Sequence, residues 1–404
     1  MPGFVKKSFL FLPLCFLIAF ACGCTLTSGE QYLEAEPDQS SYLYWQVNSL
    51  QDLNSFLIIE AAGSYRQIGQ SLGNWYHSQG FEPQLLSPEE VQKARALKDF
   101  YQEVDPEINH QIEGVYDSFG LDYTNLTHGI PISRSEGMDV ILPGLLSPHS
   151  CSVVFAGPTI SANQQPVFGR NYDFPGDLEG FTLMFTYPDG GYPTAVITTM
   201  TPGFTAADGI NSEGLVLGFA SVVDLGYKPA RNETLVSGYF YRYLLEHSAS
   251  VDQSIDLLQE FPLSFLPSNP PGVITHILIA DKSGASAVIE FLPEGIVVSK
   301  PDTAYQVLTN NLWVDPEVRS SCERYTRAVK SLEESAAAFD PESMMDLLIK
   351  LRGSTQYSVV YDLDNLELLL SVKEDHFLST HEFSLKAFMQ KMENEKGLIP
   401  AIGF

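Results

Sequence analysis

Basic residues are scarce in this chain: 23 Lys and Arg stand against 50 Asp and Glu, a net charge of −27. That balance excludes nucleic acid as a partner, because phosphates need Lys and Arg, and it leaves no basic patch for anionic lipid. The acid excess reads as a solubility device. Cysteine is scarcer still. Of the five in 404 residues, Cys15, Cys22 and Cys24 lie in or just after an N-terminal apolar segment, which leaves Cys151 and Cys322 for the folded part. So few exclude a disulfide-dense framework, although a single Cys151–Cys322 disulfide stays open as an alternative. There is no H-E-x-x-H metal pair, no Walker A loop, no G-x-S-x-G elbow and no internal repeat. Beyond the N-terminus no apolar stretch reaches the ~20 residues that cross a bilayer.

What is present begins with a targeting segment. Lys6 and Lys7 precede an apolar run from Phe9 to Phe20, which ends in A-C-G-C. Residues 1–24 read as a lipoprotein-type signal with Cys24 as the acylated residue; an ordinary secretory signal is the alternative. Either way the chain is expected to be exported. On the lipoprotein reading it sits in the cell envelope, facing periplasm or exterior, and meets the membrane only through a lipid anchor. Residues 25–45 are polar and read as a tether.

Residues 64–120 carry helical periodicity. Ile68, Leu72 and Trp75 recur at i, i+4 and i+7, and Gly69 and Gly73 flank that stripe, which predicts close helix packing. Ser87-Pro88-Glu89-Glu90 is a capping box with Pro at the first helical position. Residues 121–150 lose periodicity and read as a loop. From Cys151 the texture turns to strand. The pattern predicts strands at 151–156, 166–172, 181–187, 194–200, 203–208 and 214–222, then helices at 236–247 and 251–260. Strands follow at 274–280, 285–291, 294–299 and 304–309, helices at 316–336 and 340–351, and a last hairpin at 356–362 and 366–372. Strand runs alternating with helix pairs predict packed sheets with helices outside, not a Rossmann-type array.

Cys151 opens the first of those strands, in H-S-C-S-V-V-F-A-G, and G-R-N-Y-D follows at Gly169 to Asp173. A thiol that attacks an amide needs a base, an oxyanion hole and a proton for the leaving amine. A Cys–His dyad is one solution; His149 and His276 are its candidates. A second is to make the Cys N-terminal by cleaving Ser150–Cys151. The freed α-amine, with a pKa near ~8, then serves its own thiol as base. A nearby Arg supports the thiolate and a nearby Asp orients the amine.

The run C-S-V-V…G-R-N-Y-D resembles the N-terminal-nucleophile hydrolases of the choloylglycine hydrolase superfamily. That superfamily includes bile salt and penicillin V acylases and the acyl-coenzyme A:isopenicillin-N acyltransferases. Five further pieces are similar, in order: D-G-I-N-S-E-G-L from Asp208, T-H-I-L-I-A-D-K-S-G-A-S-A-V-I-E from Thr275, L-T-N-N from Leu308, S-S-C-E-R-Y from Ser320 and L-R-G-S-T-Q-Y-S from Leu351. Together they span about 151 to 372. The resemblance implies an α+β fold, the four-layer αββα sandwich, over 151–404, with 46–150 as a helical, propeptide-like chain. It implies Cys151 as nucleophile, Arg170 beside the thiol, Asp173 on the amine, Asn310 as an oxyanion donor and Arg324 completing the polar cluster. Where the family places an Asn whose backbone N–H joins the oxyanion hole, the ungapped equivalent here is Ser221. Asn211 reads as a structural turn residue.

The implied reaction is hydrolysis of a linear amide in a small acyl-amide substrate, with no cofactor; transfer to an amine acceptor is the variant. G-S-Y-R-Q-I-G-Q-S-L-G at Gly63 to Gly73 resembles the N-terminal chain of the isopenicillin acyltransferase branch, which self-cleaves and stays bound. The junction departs from that branch: His149-Ser150 stands where Gly or Asp-Gly is usual. A non-catalytic envelope lipoprotein and a papain-like peptidase are the competing classes. The bland alternatives for single residues are a surface ion pair for Arg170 with Asp173, a solvated helix face for Arg324, a turn for Asn310 and a small buried residue for Cys322.

Overall fold

The computed structural model describes residues 43–49, 56–129 and 151–398, apart from short stretches at 175, 177–180, 199–202, 230–234, 261–262, 265–271, 301–302, 335–338, 374–375 and 378. The signal segment, Cys24, most of the tether, His149 and Ser150 lie outside the described residues.

Two sheets carry the fold. A nine-stranded sheet takes its strands in chain order: Tyr44–Ser49, Phe56–Gly63, Phe181–Pro188, Thr194–Thr198, Asp208–Asn211, Val216–Val223, Val273–Ala280, Ser286–Leu292 and Gly295–Ser299. All neighbours are antiparallel except Phe56–Gly63, which runs parallel to Phe181–Pro188. A six-stranded sheet has the order Tyr305–Leu308, Ser152–Ala156, Val167–Asp173, Thr355–Asp362, Glu367–Val372 and His381–Ser384.

Strand alternation assigns the layers, because successive side chains leave opposite faces. Ile59, Met184, Leu217, Ile277 and Ile289 leave one face of the nine-stranded sheet and pack with Ile68, Leu72, Ile112, Phe240 and Leu244 from helices. Leu183, Phe185, Ile197, Ile210 and Leu278 leave its other face and meet Val153, Phe155, Phe168, Val359 and Tyr361 of the second sheet. Val154, Ala156, Val167 and Val360 leave the outer face of that second sheet and pack on Ala328, Leu332, Met344 and Leu348. Three cores separate four layers. The α+β fold is thus the αββα sandwich, and strands buried on both faces explain why so many of them read as unbroken apolar runs.

The residues before Cys151 are not only helical. Helices Tyr65–Ser78, Pro88–Val104 and Pro106–Ser118 are present, the second with its Ser87–Glu90 capping box. Strands Tyr44–Ser49 and Phe56–Gly63 precede them, where the sequence reading expects tether and helix. The parallel ladder to Phe181–Pro188 runs over eight residue pairs. The N-terminal chain therefore forms part of the larger sheet. The strand expected at 203–208 lies later, at Asp208–Asn211, because Gly203 adopts φ +81° and breaks the extended run. The helix expected over 316–336 is two, Pro316–Ser320 and Glu323–Glu334, with Cys322 at the break. Strand His381–Ser384 and helix Leu385–Leu398 complete the described chain; Leu385, Phe388 and Met392 cap the core between the sheets.

The glycines of the first helix act as read. A Cβ on Gly69 would overlap the backbone oxygen of Gln111, and one on Gly114 would overlap that of Arg66. Helices Tyr65–Ser78 and Pro106–Ser118 thus touch backbone to backbone. Gly69→Ala is expected to force them apart and to destabilise the protein by about 1–3 kcal/mol, as overpacking does, read as a lower urea midpoint. An unchanged midpoint would show that the contact yields freely. Among the described residues no helix is long and apolar enough to cross a membrane.

Candidate active site

The five residues singled out in the sequence converge at the end of the inter-sheet core. Cys151 precedes strand Ser152–Ala156 and shares the inward face of Val153 and Phe155. Val153 stands opposite Arg170 on strand Val167–Asp173, so alternation also turns Arg170 inward, between the sheets. The Cys151 thiol is buried and donates to the backbone oxygen of Asp173 at 3.6 Å. Burial pushes this thiol above its ordinary range; Arg170 pulls it down, Asp173 adds to the rise and Arg324 opposes it. Cys151 and Cys322 are both free thiols.

Arg170 is fully buried, and its carboxylate partner is Asp208, not Asp173. The Asp208 carboxylate also accepts from the hydroxyls of Tyr357, at 2.6 Å, and Tyr361. The guanidinium lies over the rings of Phe219 at 4.5 Å and Tyr172 at 4.9 Å. Its Nε and one Nη find no partner among the described residues, so donors remain on the buried cation that bears on the thiol. The surface ion pair weighed for Arg170 and Asp173 is therefore replaced by a buried pair with a different acid. The sequence reading places Asp208 at the head of the motif D-G-I-N and assigns it no role. The signal is in the residue type, since a carboxylate at the head of a fully buried strand needs a cation or donors to hold it.

The Asp208→Asn substitution keeps the shape and leaves a buried guanidinium without its counter-charge. Breaking a buried pair from one side costs about 3–5 kcal/mol. The expected result is a large fall in the urea midpoint; a midpoint near that of wild type would mean that the aromatic cage alone holds Arg170.

Asp173 ends its strand and is nearly fully buried. Its carboxylate accepts from the Thr355 hydroxyl and from the backbone N–H of Gly353 at 3.1 Å. Burial raises its pKa to about 6 against the pull of Thr355, Arg324, Gly353 and Arg170. Arg324 lies in the first turn of helix Glu323–Glu334, and it faces the site, not solvent. One Nη donates to the backbone oxygen of Cys151 and, at 2.9 Å, to the Ser152 hydroxyl; the other donates to Asn310 Oδ1 at 3.1 Å.

Asn310 follows strand Tyr305–Leu308, and its Nδ2 donates to the backbone oxygen of Ser221 at 2.8 Å. A primary amide has two N–H donors, so this bond orients the group and leaves one for a ligand. Within a strand a residue's N–H and C=O point to the same edge. The Ser221 N–H therefore shares the edge that Asn310 occupies, and the neighbouring strand on that side pairs only as far as Gly218.

His276 is fully buried, and both ring nitrogens are engaged, Nδ1 with Glu290 Oε1 at 3.1 Å and Nε2 with the backbone oxygen of Thr309 at 2.7 Å. Neither contact reaches Cys151. Asn211 is saturated as a turn residue: Nδ2 donates to the oxygens of Leu245 and Ser248, and Oδ1 accepts from the N–H groups of Glu213 and Leu215.

Residues 160–359 match the family model described as acyl-coenzyme A:6-aminopenicillanic acid acyl-transferase. The matched stretch contains Arg170, Asp173, Asn310 and Arg324 and begins after Cys151. Among solved structures, the chain is similar to penicillin V acylase from Agrobacterium tumefaciens, at 17% identity and a TM-score of 0.44, with 58% of this chain and 84% of that one covered. It is similar also to a mutant of conjugated bile acid hydrolase from Clostridium perfringens, at 16% identity and a TM-score of 0.42, with 58% and 92% covered. No curated protein matches.

Proposed function

We propose that this protein hydrolyses a linear amide in a small acyl-amide through a thioester on Cys151, after cleaving its own Ser150–Cys151 bond. The observation that supports this best is Arg324, which ties the Cys151 backbone, Ser152 and Asn310 together. A thiol raised by burial needs a base at close range, and the α-amine released by cleavage is one. The amine takes the thiol proton and the sulfur attacks the amide carbon. The oxyanion is held by the free Asn310 N–H and the Ser221 backbone N–H. Collapse breaks the C–N bond, and the ammonium returns its proton to the departing amine. Water, deprotonated by the same amine, then attacks the thioester; the acid leaves and the thiol is restored. Arg170 supports the thiolate, and Asp173 orients the amine. Cleavage cuts one bond, while the parallel ladder at 56–63 and the helix packing keep the N-terminal chain in place.

The family model favours a second reading, transfer of the acyl group to an amine. The test is a panel of acyl-amides with and without a free amine acceptor. Free acid in proportion to released amine, unchanged by the acceptor, supports hydrolysis; a new amide made at the expense of acid supports transfer, and no turnover across the panel overturns both. Anchoring through Cys24 belongs to the same proposal. Cys24→Ser is expected to move the protein from the membrane to the soluble envelope fraction, and unchanged partition without lipid mass would contradict it.

A further inference from the structure

His276 and Glu290 are the most deeply buried titratable pair that the chemistry above leaves unused. They sit on neighbouring strands of the nine-stranded sheet, next to the paired Ile277 and Ile289. Both reach out of that sheet to the same short segment, the one that carries Asn310. His276 holds its start through the Thr309 carbonyl at 2.7 Å. Glu290 holds its end: Oε1 accepts from the N–H of Trp313 at 2.7 Å and Oε2 from that of Val314 at 2.8 Å. A carbonyl can only accept, so His276 Nε2 is the donor to Thr309. Burial alone would raise the Glu290 carboxyl, but the His276 contact and the two backbone N–H groups outweigh it and hold the carboxyl below its usual range. A buried carboxylate with that many donors is costly to assemble for a surface loop alone. Asn310 lies one residue from the His276 contact and bonds Ser221 O and Arg324 from there.

We propose that His276 and Glu290 are positioning residues: they clamp residues 309–314 at both ends and so fix the Asn310 amide where an oxyanion forms. Neither touches the reacting atoms. The proposal rests on the assignment of Asn310 as oxyanion donor, and the site then depends on a polar pair in the opposite sheet as well as on Arg324. A displaced amide weakens oxyanion binding but leaves the thiol and the substrate pocket as they were. The effect therefore falls on kcat and not on KM, and it cannot exceed the loss of the amide itself.

The test compares His276→Asn, His276→Gln, Asn310→Ala and the double variant His276→Asn with Asn310→Ala in the full-length, processed protein. Readouts are kcat and KM on any amide that the wild type cleaves, and the alkylation rate of Cys151 by iodoacetamide, which forms no oxyanion. Gln reaches as far as imidazole Nε2 and can still donate to Thr309, whereas Asn cannot. Expected are a kcat loss of about 10-fold or more for His276→Asn at near-constant KM and alkylation rate, a smaller loss for His276→Gln, and a double variant no slower than Asn310→Ala alone, because both changes act through one group. Wild-type kcat in His276→Asn, a double variant with multiplied losses, or alkylation falling in step with kcat would overturn the proposal. Should His276→Asn fail to fold, His276→Gln decides alone: a loss as large as that of Asn310→Ala overturns it, and a loss of a few-fold at constant alkylation supports it. Wild-type kcat in Asn310→Ala would instead overturn the oxyanion assignment on which the proposal rests.

Discussion

Cys151→Ala is expected to accumulate as one uncut chain with no measurable amide turnover, a loss of at least about 10⁴-fold in kcat. The reasoning is chemical and positional. Cys151 begins strand Ser152–Ala156 at the mouth of the inter-sheet core, and Arg170 and Asp173 both bear on its thiol. No other thiol of the described residues shares that setting. Cys322 sits at the break between helices Pro316–Ser320 and Glu323–Glu334, only partly buried. Cys322→Ser is accordingly expected to be nearly silent. A Cys322→Ser variant as inactive as Cys151→Ala, or a thiol count of zero without reductant, would tie the two cysteines into a disulfide and remove the nucleophile from the account. Measuring processing by gel and turnover on the same preparation separates maturation from catalysis.

The second large effect is expected of Asn310→Ala, a loss of roughly 10²–10³ in kcat with processed protein still present. The side chain is held by Ser221 O on its nitrogen and by Arg324 on its oxygen, so the one remaining N–H has little freedom. Removing it deletes a preorganised donor and leaves the Ser221 backbone N–H on the same edge. A loss confined to KM would instead place Asn310 on the substrate in its ground state.

Much of the sandwich is legible in the sequence because its punctuation is local. Turns such as Pro188-Asp189-Gly190-Gly191 bound strands whose apolar runs are buried on both faces, and the motif pieces around Cys151, Arg170, Asp173, Asn310 and Arg324 keep their order. What is not legible is non-local. F-L-I-I-E-A-A-G at Phe56 to Gly63 is apolar but for Glu60, and nothing within it says that it will lie parallel to a strand more than a hundred residues on. The same limit hid Asp208, whose partner Arg170 is 38 positions earlier, and His276, whose meaning depends on Thr309 across the sandwich. Charge signs and residue types mark such groups as candidates; only the register of the two sheets says which of them meet.

The central claim is that Cys151 becomes a chain terminus and acts from there. Intact mass of the purified, active protein tests it most directly. The account predicts two masses from a complex that stays together in native buffer, one of them the 254 residues (404 − 150) that begin at Cys151 and end at Phe404. A single unprocessed chain carrying full amidase activity would contradict it.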